Sequence, residues 1–271
     1  MGRRAGERQG KRGARYYDWR CFLIYFTQFS NWNEMQYLTA SYGLGFESYV
    51  FTMGLTLDNL FQSVCRFTDR FSPLYANGLS FHGPFIDMNP GAYESLVSLV
   101  TKVRFEQCYI AARMTKASKI VFHTGYYQGL FHVESWEKNT IDFWKEFLSD
   151  KDESIQICLE NYQDPDPQSI ARVLDAVNHP AFFACLDVGH ANIWSKVPVE
   201  TWVTCLGNRI RHLHLNNNDG KYDLHNALDT GTLDIVPLLE KVIQTVPDAD
   251  WVLEMSTAQA VESSMELINS L

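Results

Sequence analysis

Eight short β-rich runs recur along the 271 residues, separated by stretches with helical periodicity, and this alternation limits the fold more than any other feature of the sequence. The runs are FLIYFTQ at 22–28, SYVFTM at 48–53, GLSFHG at 78–83, KIVFHTG at 119–125, IQICLEN at 155–161, FACLDVG at 183–189, IRHLHLN at 210–216 and WVLEM at 251–255. Tyr93 to Lys116, with Leu96, Leu99, Val100 and Val103, and Ile235 to Val246, with Leu238, Leu239 and Val242, read as helices between them. Eight βα units in a chain of this length predict a single closed parallel (β/α)8 barrel, a TIM barrel, over residues 18–271. No GxGxxG follows the first run, which argues against an open dinucleotide-binding sheet.

Residues 1–17 read as a disordered basic tail without the apolar core of a secretory signal. Six basic residues and one acidic one give that tail +5, so the net charge of −9 leaves −14 on the remainder. A body that acidic does not draw in a polyanion from a distance. No apolar stretch approaches the roughly 20 residues of a membrane-spanning helix, so no membrane partner is expected. Cys21, Cys65, Cys108, Cys158, Cys185 and Cys205 form no CxxC pair, and several lie in apolar runs, which predicts buried, reduced thiols in a cytoplasmic protein.

Six of the eight runs end on a residue that can ligate a metal: His82, His123, Glu160, Asp187, His214 and Glu254. Alternate residues of a strand share a face, so these stand above Ser80, Val121, Cys158, Cys185, His212 and Val252 on faces that can all point into the barrel. Active sites of such barrels form at the carboxyl ends of the strands, where these six fall. His190, three residues after Asp187, and the pair Asp223 and His225 extend the set from the following loops.

Nine candidates exceed the needs of one ion. They divide into His82, His123 and Glu160; Glu160 with Asp187, His214 and Glu254; and His190, Asp223 and His225. Mixed imidazole and carboxylate ligands suit zinc, manganese or iron, at one to three divalent ions per chain. A lone strand-end His is more often a hydrogen-bonded structural residue, and a lone Asp or Glu more often a cap or ion-pair partner. Acids and imidazoles converging at one mouth would instead repel or stay unsatisfied without a cation. His212 reads as a deeper core or supporting group, and His132 and His179 as loop residues. Tyr126, Tyr127 and Trp194 are candidates to stack on a sugar ring or base, though surface packing also explains them. Asn216, Asn217 and Asn218 with Lys221 could bind hydroxyls or phosphate, although Asn and Gly also gather in ordinary turns.

FHGPF at 81–85, VFHTG at 121–125, CLEN at 158–161, CLDVGHAN at 185–192, HLHLNNNDG at 212–220, DLH at 223–225 and VLE at 252–254 resemble the xylose isomerase-like TIM barrels, a superfamily that includes the endonuclease IV class of abasic-site endonucleases. The resemblance spans about residues 20–271. All nine positions matching the trinuclear zinc ligands of endonuclease IV are present, while the sugar isomerase and epimerase branch implies one ion on Glu160, Asp187, His214 and Glu254. Gly83, Pro84 and Phe85 stand where the endonucleases carry a Tyr used at the DNA surface. LDVGH and the LDTG at 228–231 also depart from their pattern.

These departures and the acidic body favour a sugar or sugar phosphate substrate. The resemblance then implies that Glu160 and Glu254 transfer a proton beside a metal-chelated ketose carbonyl, with His190 holding a substrate hydroxyl. The alternative is an endonuclease IV-like multinuclear zinc phosphodiesterase acting on abasic DNA or another phosphodiester, which gives all nine ligands a use. A non-catalytic metal-binding protein is a third reading, which an open cluster at a barrel mouth disfavours.

Overall fold

In the computed structural model, which describes residues 22–271, eight parallel strands follow one another around a closed barrel and β8 pairs back onto β1. The order is β1 (Ile24–Thr27), α1 (Trp32–Tyr42), β2 (Gly45–Ser48), α2 (Gly54–Asp58), α3 (Leu60–Phe71), β3 (Leu79–His82), α4 (Ser95–Thr115), β4 (Lys119–His123), α5 (Val133–Leu148), β5 (Gln156–Glu160), α6 (Gln168–Val177), β6 (Phe182–Asp187), α7 (Val188–Trp194), α8 (Val199–Leu206), β7 (Ile210–Leu215), α9 (Ile235–Thr245), β8 (Asp250–Leu253) and α10 (Ala258–Asn269). The expected barrel is therefore the fold. The tail expected over residues 1–17, and Cys21, lie outside the described residues.

Each strand is buried on both faces, which is why the runs read as almost continuously apolar. Outward residues such as Phe46, Phe81, Phe122, Leu159, Leu186 and Leu213 join the helices in one large core. Inward, Val121, Cys158 and Cys185 form a small separate cluster that fills the barrel beneath its mouth. The register sets neighbouring inward positions level: Glu47 lies beside Ser80, Glu160 beside Cys185, and Asp187 beside His214.

Two expectations need correction. The second strand is Gly45–Ser48, not 48–53, because the chain leaves extended geometry at Tyr49 (φ −94°, ψ 5°) and runs into a short 3-10 turn at Val50–Thr52. The β-forming character of that run serves the outer core instead, where Phe51 packs between Phe67 and Phe81. The helix expected over Tyr93 to Lys116 forms as α4, with Leu96 (68% exposed), Leu99, Val100 and Val103 facing outward. Its buried face carries Phe105, Cys108, Tyr109, Ala111 and Ala112, small and aromatic residues that let the helix approach β4 closely. Second, not all the thiols are buried: Cys65 is exposed and Cys205 half-buried, while Cys108, Cys158 and Cys185 are buried, all five free. Among the described residues no helix is long and apolar enough to cross a membrane.

Candidate metal centre

The six strand-end candidates meet at the carboxyl end of the barrel because each is the last or nearly the last residue of its strand. His82, His123, Glu160 and Asp187 end β3 to β6, His214 is one short of the end of β7, and Glu254 directly follows β8. Glu160, Asp187 and His214 are inaccessible to solvent, and His82 and Glu254 nearly so. Asp187 also caps α7, its Oδ1 accepting from the His190 amide at 2.6 Å, and this turn brings His190 into the mouth. Gly189 makes the turn possible, since a Cβ there would collide with the Asn216 side chain. Gly83 plays a similar part after His82, where a Cβ would run into the Phe122 ring.

Glu160 stands at the middle of the cluster. Its Oε2 is 3.3 Å from both His82 Nε2 and His123 Nε2, and its Oε1 is 3.1 Å from His214 Nδ1. His214 Nδ1 is in turn 3.2 Å from Glu254 Oε2 and 3.9 Å from Asp187 Oδ2. A third group forms where the loop after β7 folds back on itself through paired main-chain hydrogen bonds between Asn217 and Asn226. There Asp223 lies 3.3 Å from His190 Nε2 and 3.2 Å from His225 Nε2, and His225 takes a left-handed backbone (φ 49°) to do so. The first two groupings expected from sequence thus come together at ligand spacing, while His190, Asp223 and His225 form a looser chain in which each imidazole meets a different oxygen of Asp223.

Several observations fit these residues to divalent cations. Charge-assisted hydrogen bonds from nitrogen to carboxylate run at about 2.7–2.9 Å. Two ligands each roughly 2.0–2.1 Å from a tetrahedral ion stand farther apart, at about 3.3 Å, as most of these pairs do. His82, His190 and His225 each turn Nδ1 to a main-chain carbonyl, of Gly83, Asn161 and Glu254 respectively, at 2.9–3.0 Å. Donation from Nδ1 leaves Nε2 as a lone-pair ligand, the arrangement usual for metal-binding histidines. Glu160 Oε2 and Glu254 Oε2 are buried without a hydrogen-bond partner, and a cation would satisfy both.

The electrostatics of the cluster are those of charges held close in a dry site. Burial alone would raise Glu160 and Glu254, but His214, with His123 beside the first and His225 beside the second, holds both well below the usual carboxylate range. Asp187 goes the other way, pushed up to about 7 by burial, which the opposing pull of His190 does not cancel. His225 rises to about 10 despite burial, because Glu254 and Asp223 face it.

Above the cluster is a cavity of about 480 Å³ walled by Tyr49, Phe85, Ile86, Asp87, Tyr127 and Tyr162 and by six of the ligand candidates, His82, His123, His190, Asp223, His225 and Glu254. Aromatic rings also brace the imidazoles: Tyr49 stacks on His82, and Phe85 and Tyr162 flank His123. The substrate candidates are less well placed. Tyr126 is buried against Trp136 and its neighbour Tyr127 lines the cavity instead. Trp194 does not line the cavity, and its carbonyl anchors Gln128. Asn216 is buried behind the site, donating to Asp187 Oδ2 at 3.2 Å. Lys221 sits in an exposed turn outside the cavity. Asn217 and Asn218 brace the loop, donating to the carbonyls of Leu228 and Gly189.

Sequence reading missed Glu47 and Tyr49. Glu47 is an inward residue of β2, inaccessible to solvent, and Tyr49 donates its hydroxyl hydrogen bond to Glu254 Oε1. Both were hidden by the misplaced second strand. The signal was present in Gly-Phe-Glu-Ser, where one acid alternates with the outward-facing Phe46 just as Glu160 alternates with Leu159.

A closed parallel barrel whose mouth gathers imidazoles and carboxylates at ligand spacing defines a class of barrels with a metal-competent centre. Residues 73–271 match the xylose isomerase-like TIM barrel family, and the chain belongs to it. It is 24% identical over 198 residues to MJ1311 of Methanocaldococcus jannaschii, described as an uncharacterized protein, a match covering 69% of this chain and 67% of that one. Among solved structures it is similar to the TTHB071 protein of Thermus thermophilus, from a ZnCl2 soak, at TM-score 0.69 and 24% identity over 91% of this chain and 96% of the other. A D-tagatose 3-epimerase-like protein matches at TM-score 0.69 and 22% identity, covering 90% and 96%.

Proposed function

We propose that the protein is a divalent-metal-dependent isomerase or epimerase acting on an unphosphorylated ketose or a related polyhydroxy carbonyl compound. The observation that carries this reading is the buried quartet of Glu160, Asp187, His214 and Glu254, whose ligand atoms all lie within 4.8 Å of one another and which meets the cavity through Glu254. The D-tagatose 3-epimerase-like neighbour and the ZnCl2-soaked one support it at the level of the fold. An ion on this quartet, zinc or manganese, supplies Lewis acidity to a bound carbonyl and its neighbouring hydroxyl.

The chain's own groups do the rest. Glu160 and Glu254 approach the His214 ring from different strands, β5 and β8, and are the pair suited to take a carbon-bound proton and return one. Tyr49, hydrogen-bonded to Glu254 Oε1, holds that carboxylate in place. His190, with Nδ1 tied to the Asn161 carbonyl, presents Nε2 toward Asp223 and the substrate space. Aromatic walls at Tyr49, Phe85, Tyr127 and Tyr162 suit the C–H faces of a sugar and keep water out. Among the described residues no Lys or Arg lines the cavity, which argues against a phosphate group on the substrate.

One observation favours a second reading, the multinuclear phosphodiesterase. His82 with His123, and His190 with Asp223 and His225, stand at ligand spacing although a four-ligand centre does not need them. Replacing His82 and His123 together by Asn separates the two. An epimerase keeps its quartet and still exchanges a substrate carbon-bound proton with deuterated solvent when offered ketoses. Metal-dependent incision of abasic duplex DNA by the wild type, lost in the double variant, together with no solvent exchange on any ketose, would overturn the proposal in favour of the hydrolase.

A further inference from the structure

His214 is the exception among the histidines of the centre. His82, His190 and His225 point Nε2 at the ligand cluster and turn Nδ1 to a main-chain carbonyl, that of His190 also lying 3.3 Å from Glu160 Oε1, whereas His214 points Nδ1 at Glu160 and Glu254 and turns Nε2 down into the barrel. What it meets there is Glu47, whose Oε1 is 2.9 Å from Nε2. Both atoms are buried, and apart from this 2.9 Å approach neither makes a hydrogen bond. The second carboxylate oxygen of Glu47 accepts from His212 Nε2 at 2.8 Å and from Ser80 Oγ at 2.8 Å.

We infer that Glu47 is a positioning residue for the metal centre: its carboxylate holds the proton of His214 on Nε2 and so leaves Nδ1 as the ligand atom. This rests on the metal-dependent reading above and adds to it a residue from outside the nine. A buried carboxylate behind a metal-binding imidazole fixes the tautomer and ring orientation and raises the basicity of the ligating nitrogen. The carboxylate is itself held at its other oxygen by His212 and Ser80, so it cannot swing away.

Glu47, His212 and His214 also come close enough together to suggest a second ion in the barrel floor. The distances decide against that. His212 Nε2 is hydrogen-bonded to Glu47 Oε2 at 2.8 Å, which uses that pair without an ion, and the 2.9 Å between His214 Nε2 and Glu47 Oε1 is shorter than the 3.1–3.3 Å between most ligand pairs in the mouth.

The test is the affinity for zinc alone, measured by competition with a chelator, alongside the melting temperature of the metal-free protein. Glu47→Gln keeps the shape but offers one acceptor oxygen where two are used, and should weaken the tightest zinc site on the order of 10–100-fold. Glu47→Asp retains the charge but withdraws it by one methylene, and should recover part of that loss. Ser80→Ala leaves the carboxylate in place and should cost least. If Glu47→Gln does not fold, the graded pair Glu47→Asp and Ser80→Ala carries the comparison. Zinc affinity within twofold of wild type in both Glu47 variants, whatever the change in melting temperature, would mean Glu47 only packs the floor and would overturn the inference. A wild type that binds zinc but turns over no sugar would sink the proposed reaction and leave this inference standing; a wild type that binds no zinc would sink both.

Discussion

The ligand candidates carried by strands and those carried by the loop after β7 are held by different means. Glu160, Asp187 and His214 sit on a closed ladder of main-chain hydrogen bonds whose register also builds the barrel, and their side chains are wholly buried. Asp223 and His225 ride on a segment without strand or helix, their side chains 36% and 29% exposed. Their position depends on Asn217, which donates to the carbonyls of Leu228 and Leu233 and accepts from the amides of Asn218 and Leu233. The contrast separates two kinds of preorganisation. A strand ligand is placed by the fold and can be changed without loosening it, whereas a loop ligand is placed by side chains that can be removed without touching the ligand.

The largest expected effect comes from the strand side. Glu160→Gln removes the one carboxylate shared by the two strand-borne groups, and should lower turnover by about a thousandfold or more, equivalent to about 4 kcal/mol. It should still melt cooperatively, because the amide keeps the volume and the ladder is main chain. Elemental analysis of the purified variant should show fewer ions than in the wild type; a full complement with near-normal turnover would refute the central role of Glu160.

Asn217→Ala tests the loop side without altering any ligand. Several buried hydrogen bonds are lost and at least one carbonyl is left unsatisfied, so the variant should lose about 2–4 kcal/mol of stability in denaturant titrations. Zinc bound by His190, Asp223 and His225 should become readily chelated while the strand-borne ions remain. Equal loss from all groups would erase the distinction drawn above.

Removing the loop ligands directly should be milder for the fold than breaking their support. Asp223→Asn with His225→Asn should release the outermost ion and change stability by under about 1 kcal/mol, since both side chains are partly exposed. If the protein is a four-ligand epimerase, solvent exchange should persist within about tenfold of wild type.

The smallest effect concerns a group beside the mouth that is no ligand candidate. Asp164 is buried, with Oδ2 accepting from Thr124 Oγ1 and the Tyr162 amide, and burial pushes it up to about 7 against the hydrogen bonds that lower it. A carboxyl whose pKa is raised on folding stays neutral in the folded chain while the unfolded chain ionises. Its contribution is therefore complete below pH 3.8 and is lost as pH rises toward about 7. Asp164→Asn should remove that slope and gain about 1 kcal/mol at pH 8, a modest amount because one amide hydrogen then lies where Oδ1 is already unpartnered. Urea unfolding of both proteins at pH 5 and pH 8 reads the difference; parallel curves would show that Asp164 is ionised throughout.

The barrel and the ligand candidates on its strands were legible because both follow from period. A strand repeats every second residue, so Ser80 and His82, Cys158 and Glu160, and His212 and His214 must share a face, and eight such strands must close. Apolar character alone did not say which surface an element meets. Tyr49 to Met53 looks like a strand and is a turn, and the apolar Leu96 to Val103 stripe marks a helix but lies on its exposed side, because the pattern reports hydrophobicity and not what lies opposite. The sequence by itself therefore determined the architecture and the chemistry available at its mouth. Only the tertiary structure decided that Glu47, some 165 residues before His212, stands beneath His214, that Tyr49 reaches Glu254, and that Lys221 stays outside the cavity. Those contacts arise from closure of the barrel, which brings distant strands within a few ångströms at its axis and which no local pattern encodes.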